Sequence, residues 1–372
     1  MKKLTGPKLL VGDACSCPDL EYVTRFRATD PVVALVRGAQ RYLVVPELEL
    51  GRATRAAHRC HVLTPAQLGV PLGQQRLIRE WALALLRSER VTTVTVGPTF
   101  PLEVARGLER ARVRLLVHDT LFPARAVKTE REIGLLRQSQ RAAVGAMRAV
   151  IGAIRESRPR RDRTLIWRGK PLTSERMHLE IRRVLLDANC SAPMTIVAGG
   201  RQGADPHEAG HGPLRANEPI VIDIFPKHNG HGYWGDITRT VVKGVPTPRL
   251  RGMYRAVRKA QEEALRMVRP GASSAGIHHR VVECFSEHGF ESGEADGAMY
   301  GFFHGTGHGV GLDIHEAPNV GRARTRLRAG HVITIEPGLY YPEIGGVRIE
   351  DTVVVTKGGC SLLGRCAKRL VV

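Results

Sequence analysis

Aromatic residues make up only 5% of the chain, too few for a single-stranded nucleic-acid platform, which stacks bases on interleaved rings. No apolar run approaches the ~18 residues of a membrane-spanning helix, so a transmembrane helix is excluded. The opening MKKLTGPKLLVGDA has lysines but lacks the apolar stretch of about 7–15 residues that a secretory leader needs. Cysteine is present but unorganised: seven residues, an odd number, with Cys15 and Cys17 one residue apart and no CxxC pair. That argues against a disulfide framework and against a thiolate zinc ribbon, and fits reduced thiols in a cytosol. No repeat with a period of about 20–50 residues is visible, which excludes solenoids and propellers. A soluble, cytoplasmic protein without a membrane partner is expected.

Acidic residues are also outnumbered, 36 Asp+Glu against 56 Lys+Arg, for a formal net charge of +20. Such an excess raises nucleic acid, an acidic surface or an anionic substrate as partners, and an arginine-rich composition alone also produces it. What is present is ordinary: 42% apolar and 25% charged residues exclude wholesale disorder. The 372 residues have room for two domains.

Residues 1–122 read as a small α/β domain and residues 123–372 as a larger second one. β-type runs at Lys8–Gly12, Val32–Arg37, Tyr42–Val45, Val91–Val96 and Val113–His118 alternate with helical patterns near Glu47–Ala57, Gln74–Arg87 and Leu102–Arg110. His118–Val127 carries Pro123 and loses periodicity, which sets the boundary. Thr129–Ile154 is then a long helical pattern with Thr129 as N-cap and Glu132 three residues on. Ser157–Lys170 is basic and reads as a solvated loop, and Glu175–Ala188 as a helix. Strands are expected at Thr195–Ala198, Ile220–Phe225, Asp236–Val242, His331–Glu336 and Val347–Thr356, with amphipathic helices at Pro248–Val268 and Ser273–His288.

Four carboxylates interrupt or bound those core strands: Asp223 in Ile-Val-Ile-Asp-Ile-Phe, Asp236, Glu336 and Glu350. A buried carboxylate without a partner is prohibitively costly, so each needs a positive charge. Arginine can serve one or two; four converge more economically on two dications. His308 is a fifth candidate, in His304–Glu316, where glycines at 305, 307, 309 and 311 let the backbone approach closely and aim His304, His308 and His315 into one volume. An oxygen-rich shell of this kind favours Mn²⁺, Co²⁺ or Fe²⁺ over softer zinc sites. Two such ions make a nucleophile available at neutral pH and polarise a carbonyl, which is the chemistry of amide hydrolysis. His207-Glu208-Ala209-Gly210-His211 formally matches the HExxH protease signature, which requires a helix. Asp205-Pro206, Gly210 and Gly212-Pro213 make it a loop, and His207 reads as a loop histidine facing substrate.

The strings VIDIF…GYWGDITRT, HGTGHGVGLDIHE, TIEPGLYY and GGVRIED, in this order, resemble those of the M24 metallopeptidases, the family with the pita-bread fold that contains methionine aminopeptidase, Xaa-Pro aminopeptidase and prolidase. Residues 1–122 resemble, more weakly, the N-terminal domain of the creatinase/prolidase branch. The resemblance implies a pita-bread catalytic domain behind a smaller α/β domain, hydrolysis of the Xaa-Pro bond at the N-terminus of proline-containing peptides, and a homodimer. It implies two divalent ions per chain, Mn²⁺ first with Co²⁺, Fe²⁺ or Zn²⁺ as alternatives, held by Asp223, Asp236, His308, Glu336 and Glu350. Asp236 and Glu350 would bridge. His304 and His315 match the histidines that bind substrate and assist catalysis, Glu336 the proton shuttle, and Arg348 the arginine beside the bridging Glu. His207 matches a histidine on the proline side, and Arg324 the arginine that holds a dipeptide's carboxylate. Two readings compete with the aminopeptidase: an Xaa-Pro dipeptidase, and a metal-dependent hydrolase or lyase acting on a small acid. Nucleic acid is not expected as the main partner. The Asp223–Asp236 interval, lengthened by His228-Asn229-Gly230-His231, is two residues longer than is usual in the family, which predicts an altered rim around intact ligands.

Overall fold

The computed structural model describes residues 6–372; the first five, part of the segment read above for a leader, lie outside them. It separates into two compact units, Met1–Arg125 and Ala126–Val372.

The first unit runs β1 (Lys8–Gly12), α1 (Pro18–Thr24), β2 (Val32–Arg37), β3 (Gln40–Val44), α2 (Leu50–Ala56), β4 (His61–Leu63), α3 (Ile78–Ser88), β5 (Thr93–Val96), α4 (Leu102–Arg110) and β6 (Arg114–Val117). Its mixed sheet has the order β4-β3-β2-β1-β5-β6. Alternation along the strands feeds two cores: Leu9, Val11, Val33 and Leu35 pack with residues of α3 and α4, while Leu10, Val32, Ala34 and Val36 pack with residues of α1. The sequence reading passed over α1 and β4, seven and three residues long, because elements so short show no full period.

The second unit opens on α5 (Glu130–Glu156), started by a complete capping box in which Thr129 and Glu132 satisfy each other's backbone N–H. The basic stretch after it is not a loop: β7 (Arg158–Pro159), β8 (Leu165–Trp167) and β9 (Lys170–Pro171) form a small antiparallel sheet. Leu165 and Trp167 are buried beneath it, and Arg168 and Gly169, both at positive φ, make the tight turn between β8 and β9. Then come α6 (Ser174–Asp187), β10 (Cys190–Ser191), β11 (Ile196–Gly199), β12 (Ile220–Ile224), β13 (Lys227–His228) and β14 (Ile237–Val241). The antiparallel sheet β11-β12-β14 shares one apolar core with α5 and α6.

A second helix pair, α7 (Pro248–Met267) and α8 (Ser274–Glu287), leads through a hairpin of β15 (Gly293–Ala295) and β16 (Ala298–Tyr300) to β17 (Gly307–Gly309), β18 (Glu316–Val320), β19 (Val332–Ile335), β20 (Gly338–Tyr341), β21 (Gly345–Arg348), β22 (Asp351–Val355) and β23 (Cys360–Leu362). Helices α7 and α8 share their core with the sheet β18-β17-β19-β22-β23. The unit is thus a helix pair on an antiparallel sheet, built twice, in keeping with the α/β class expected. The single strand expected over Val347–Thr356 is two: β21 pairs with β20, and β22 pairs with β19 and β23. The chain changes sheets at Ile349–Glu350, so Glu350 stands at a strand junction rather than inside a ladder. Among the described residues no helix is long and apolar enough to cross a membrane.

Candidate metal centre

A cavity of about 1440 Å³ in the second unit is lined by Asp223, Asp236, His308, Glu336 and Glu350, together with His207, His304, His315 and Arg348. Each carboxylate reaches it from a different place in the strands. Asp223 lies in central strand β12, paired with Ile196 on one side and Thr238 on the other. Asp236 immediately precedes β14, Glu336 immediately follows β19, and Glu350 sits between β21 and β22. His308 is the middle residue of β17, and the glycines beside it are obligatory: a Cβ at Gly307 would lie 2.0 Å from the Thr334 carbonyl oxygen, and one at Gly309 would lie 2.5 Å from that of Ala317.

Ligand atoms of Asp236, His308 and Glu350 all lie within 4.8 Å of one another. His308 Nε2 is 3.2 Å from Glu336 Oε1 and 3.6 Å from Asp236 Oδ2. Its Nδ1 is 3.2 Å from the Gly309 carbonyl, which can only accept, so the proton sits on Nδ1 and Nε2 faces the carboxylates. Asp236 and Glu350 are 4% and 2% exposed.

The protein's own cations do not balance this cluster. Burial, then the charge of Asp223, raises the Asp236 carboxyl well above its ordinary value, and burial with Asp236 does the same to Glu350. Burial opposes the charge of Glu336 too, but the hydrogen bond and charge of His308 win and pull it to about 2. Burial likewise opposes charging of His308, which Glu336 overcomes, to about 9. Arg348 Nη2 donates to Asp223 Oδ2 at 2.8 Å. Asp223 Oδ1 and Glu350 Oε1 remain buried with no hydrogen-bond partner among the described residues. Buried carboxylate oxygens left without a donor are tolerable where divalent cations neutralise them, so the donor set fits such ions.

Around the carboxylates a polar chain fixes orientation. His304 Nδ1 donates to the Gly305 carbonyl at 2.7 Å, and its Nε2 lies 3.0 Å from the Tyr340 hydroxyl. Burial lowers the His304 pKa, so Nε2 is the acceptor and Tyr340 donates to it. Tyr340 in turn accepts from Arg348 Nη1 at 2.8 Å, which links His304 to Asp223 through two buried side chains. The His315 ring meets that of His308 edge-on at 4.3 Å, and burial followed by the His308 charge lowers its pKa. His207 is exposed at the mouth, in a turn where its N–H donates to Asp205 Oδ1. Arg322 lines the cavity; Arg324, two residues further on, does not.

Three residues of this environment had not been singled out. Tyr340 was visible only as part of the string TIEPGLYY. Thr334 accepts from His308 N–H at 3.0 Å and donates to Glu336 Oε1 at 3.2 Å. Gln140 clamps the Asp236 peptide from α5, donating to its carbonyl and accepting from its N–H, both at 2.8 Å. A glutamine at a core position of an amphipathic helix was the available signal. The inserted His228–His231 loop folds on itself, with its two imidazoles stacked at 3.8 Å and Gly230 N–H donating to His228 Nδ1.

The chain is 30% identical over 359 residues to the Xaa-Pro dipeptidase of Pyrococcus horikoshii, covering 95% of this chain and 92% of the relative. It is 35% identical over 257 residues to the Xaa-Pro dipeptidase of Pyrococcus furiosus, covering 68% of each. The crystal structure of the prolidase from Pyrococcus horikoshii superposes with a TM-score of 0.82 over 99% of this chain and 96% of that one, at 27% identity. Residues 134–357 match metallopeptidase family M24, and that stretch contains all five of the clustered cation-binding candidates. The chain is a hydrolase that belongs to metallopeptidase family M24.

Proposed function

We propose that this enzyme cleaves the bond between an N-terminal residue and a following proline, with two divalent ions, preferentially Mn²⁺, held by Asp223, Asp236, His308, Glu336 and Glu350. The observation that carries this reading is the pair of orphaned oxygens, Asp223 Oδ1 and Glu350 Oε1, in a cluster short of positive charge. When bound, the ions polarise the scissile carbonyl and make a nucleophile available from water at neutral pH. Glu336 would accept the proton released by the attacking water and return it to the departing proline nitrogen. His315, neutral at pH 7, donates an N–H to the oxygen on which charge develops. His304 has its tautomer fixed by Gly305 and Tyr340 and presents a set face to substrate, while Arg348 orients Asp223.

Free Xaa-Pro dipeptides are the preferred substrates. The names of the two Pyrococcus relatives support this, as does Arg322, an exposed cation in the cavity wall with which a free carboxylate can pair. The role assigned from the sequence to Arg324 passes to Arg322 in this reading. The aminopeptidase reading has one observation of its own: a cavity of about 1440 Å³ has room for more than a dipeptide. The odd number of cysteines, seven with no CxxC pair, supports a reducing, cytoplasmic setting, and the resemblance implies a homodimer, which sedimentation velocity tests. The deciding assay compares kcat/KM on Xaa-Pro and Xaa-Pro-Yaa-Yaa after chelation and reloading with Mn²⁺. Dipeptide cleavage that falls on chelation and on Arg322→Ala is expected. Undiminished cleavage by Asp236→Ala would end the metal-centre reading, and faster cleavage of the tetrapeptide would favour the aminopeptidase.

A further inference from the structure

We propose that Arg239 is a positioning residue that holds Asp236 and Glu350 in ligating geometry by tying their strands to the segment Cys366–Lys368. Arg239 lies in β14, three residues beyond Asp236, and is the largest fully buried side chain among the described residues, 1% exposed. A buried guanidinium keeps its charge, so all five of its N–H groups need acceptors. They have them. Nη1 donates to the carbonyls of Thr238 at 2.8 Å and Glu350 at 2.5 Å. Nη2 donates to Asp351 Oδ1 at 2.7 Å and to the Cys366 carbonyl at 2.8 Å, and Nε donates to the Ala367 carbonyl at 3.3 Å.

The other oxygen of Asp351 accepts from Lys368 Nζ at 2.6 Å and from Gln261 Nε2 at 3.3 Å. The cluster Arg239–Asp351–Lys368 thus carries one net positive charge, and its two cations are spent on Asp351 and on backbone carbonyls rather than on the carboxylates in the cavity. What it does to them is geometric. Glu350 N–H donates to the Thr238 carbonyl at 3.0 Å, and Thr238 Oγ1 donates to Glu350 Oε2 at 2.7 Å. With the Glu350 carbonyl on Arg239, both the backbone and the carboxylate of Glu350 are referenced to the strand that follows Asp236. Glu350 stands where the chain changes sheets, so the β-ladders alone do not fix it. Arg239 does not line the cavity and acts only through these partners. Lysine cannot replace it, because a point ammonium with three donors cannot reach five acceptors spread around a planar fork.

This inference rests on the reading of Asp236 and Glu350 as metal ligands, and one experiment separates the two. The full chain, stripped with chelator, is titrated with Mn²⁺ by calorimetry as wild type, Asp236→Ala, Arg239→Lys and Lys368→Met, each well below its own melting temperature. Arg239→Lys is expected to bind Mn²⁺ about 10–100-fold more weakly, the range for residues that orient ligands, with kcat falling and KM within about twofold. Lys368→Met, at a side chain 22% exposed and with Arg239 still on Asp351, is expected to fold and to bind about threefold to tenfold more weakly. A purely structural role would lower melting temperatures and leave these affinities alone. Wild-type binding by Asp236→Ala would end the metal-ligand reading itself. Loss in Asp236→Ala with wild-type affinity in Arg239→Lys would overturn the positioning role alone; if Arg239→Lys does not fold, wild-type affinity in Lys368→Met overturns it instead.

Discussion

In the first unit, β1 and β2 run side by side at the centre of the sheet, and their only charged residues, Lys8 and Arg37, stand at the strand ends. In the second unit, central strand β12 buries Asp223 among four aliphatic residues, β14 buries Arg239, and β21 ends on a buried Arg348. The first unit fills both faces of its sheet with aliphatic side chains whose burial favours folding without conditions. The second places acids where burial opposes them, and its own cations cover only part of the charge. Its stability is therefore expected to depend on bound cations in a way that the first unit's does not.

The strongest way to break that contrast is to remove one acid. Asp236→Asn is expected to lower kcat/KM by at least ~10³-fold, because the effects of bound ions on reaction barriers amount to several kcal/mol. In chelator the same variant is expected to melt higher than wild type, since the carboxyl it replaces is disfavoured by burial and by Asp223. Lost activity without that gain would mean that the acids do not oppose folding. The complementary substitution is Leu35→Ala in the first unit, where Leu35 is 0% exposed. It is expected to take about 2–5 kcal/mol from that unit, read by hydrogen exchange of its amides, and to leave Mn²⁺ affinity unchanged.

The same contrast explains what was legible in the sequence. Strands β1 and β2 were bounded to the residue because their apolar runs are uninterrupted and polar turn residues flank them. The acids of the second unit stood out for the opposite reason, as charges in apolar strands, so their meeting in one cavity could be anticipated from residue type and strand position. Glu350 at a sheet junction could not, because Val347–Thr356 has a continuous β-type pattern and only pairing partners reveal the switch. Tyr340, Thr334 and Gln140 were hidden because their roles depend on neighbours 8 to 96 residues away in sequence. The basic stretch Arg158–Lys170 misled because charge density is a surface property, and Leu165 with Trp167 is enough to fold a small sheet under it.

A gentler test leaves the sequence intact. Stripping ions from protein held at about 100 times their dissociation constant is expected to lower stability by about 2.7 kcal/mol for each ion removed. By the comparison above, the added hydrogen exchange should fall in β12, β14, β17, β19 and β22, while β1, β2 and β5 keep their protection. Equal loosening of both units would mean that the first depends on the ions as well.

The smallest effect concerns a buried charge that the fold refuses. His331 is 4% exposed, and its Nδ1 accepts from Arg328 N–H at 3.1 Å, which requires the neutral ring. Burial, with the charges of Lys128 and Arg328, pushes its pKa down to about 4. Above about pH 6.5 the ring is neutral in both folded and unfolded chains and stability is unaffected. Below that pH the unfolded chain binds a proton that the folded one does not, so stability falls between about 6.5 and 4, by about 3 kcal/mol. Asp236 and Glu350 act with the opposite sign in ion-free protein: their raised values mean that the fold takes up their protons first and gains as pH falls. His331→Asn keeps an acceptor for Arg328 and cannot titrate, so it isolates the histidine. Urea unfolding in chelator should show wild type losing stability relative to this variant from pH 7 to 4.5. A difference that stays flat across that range would mean that His331 contributes nothing to the acid sensitivity of the unit.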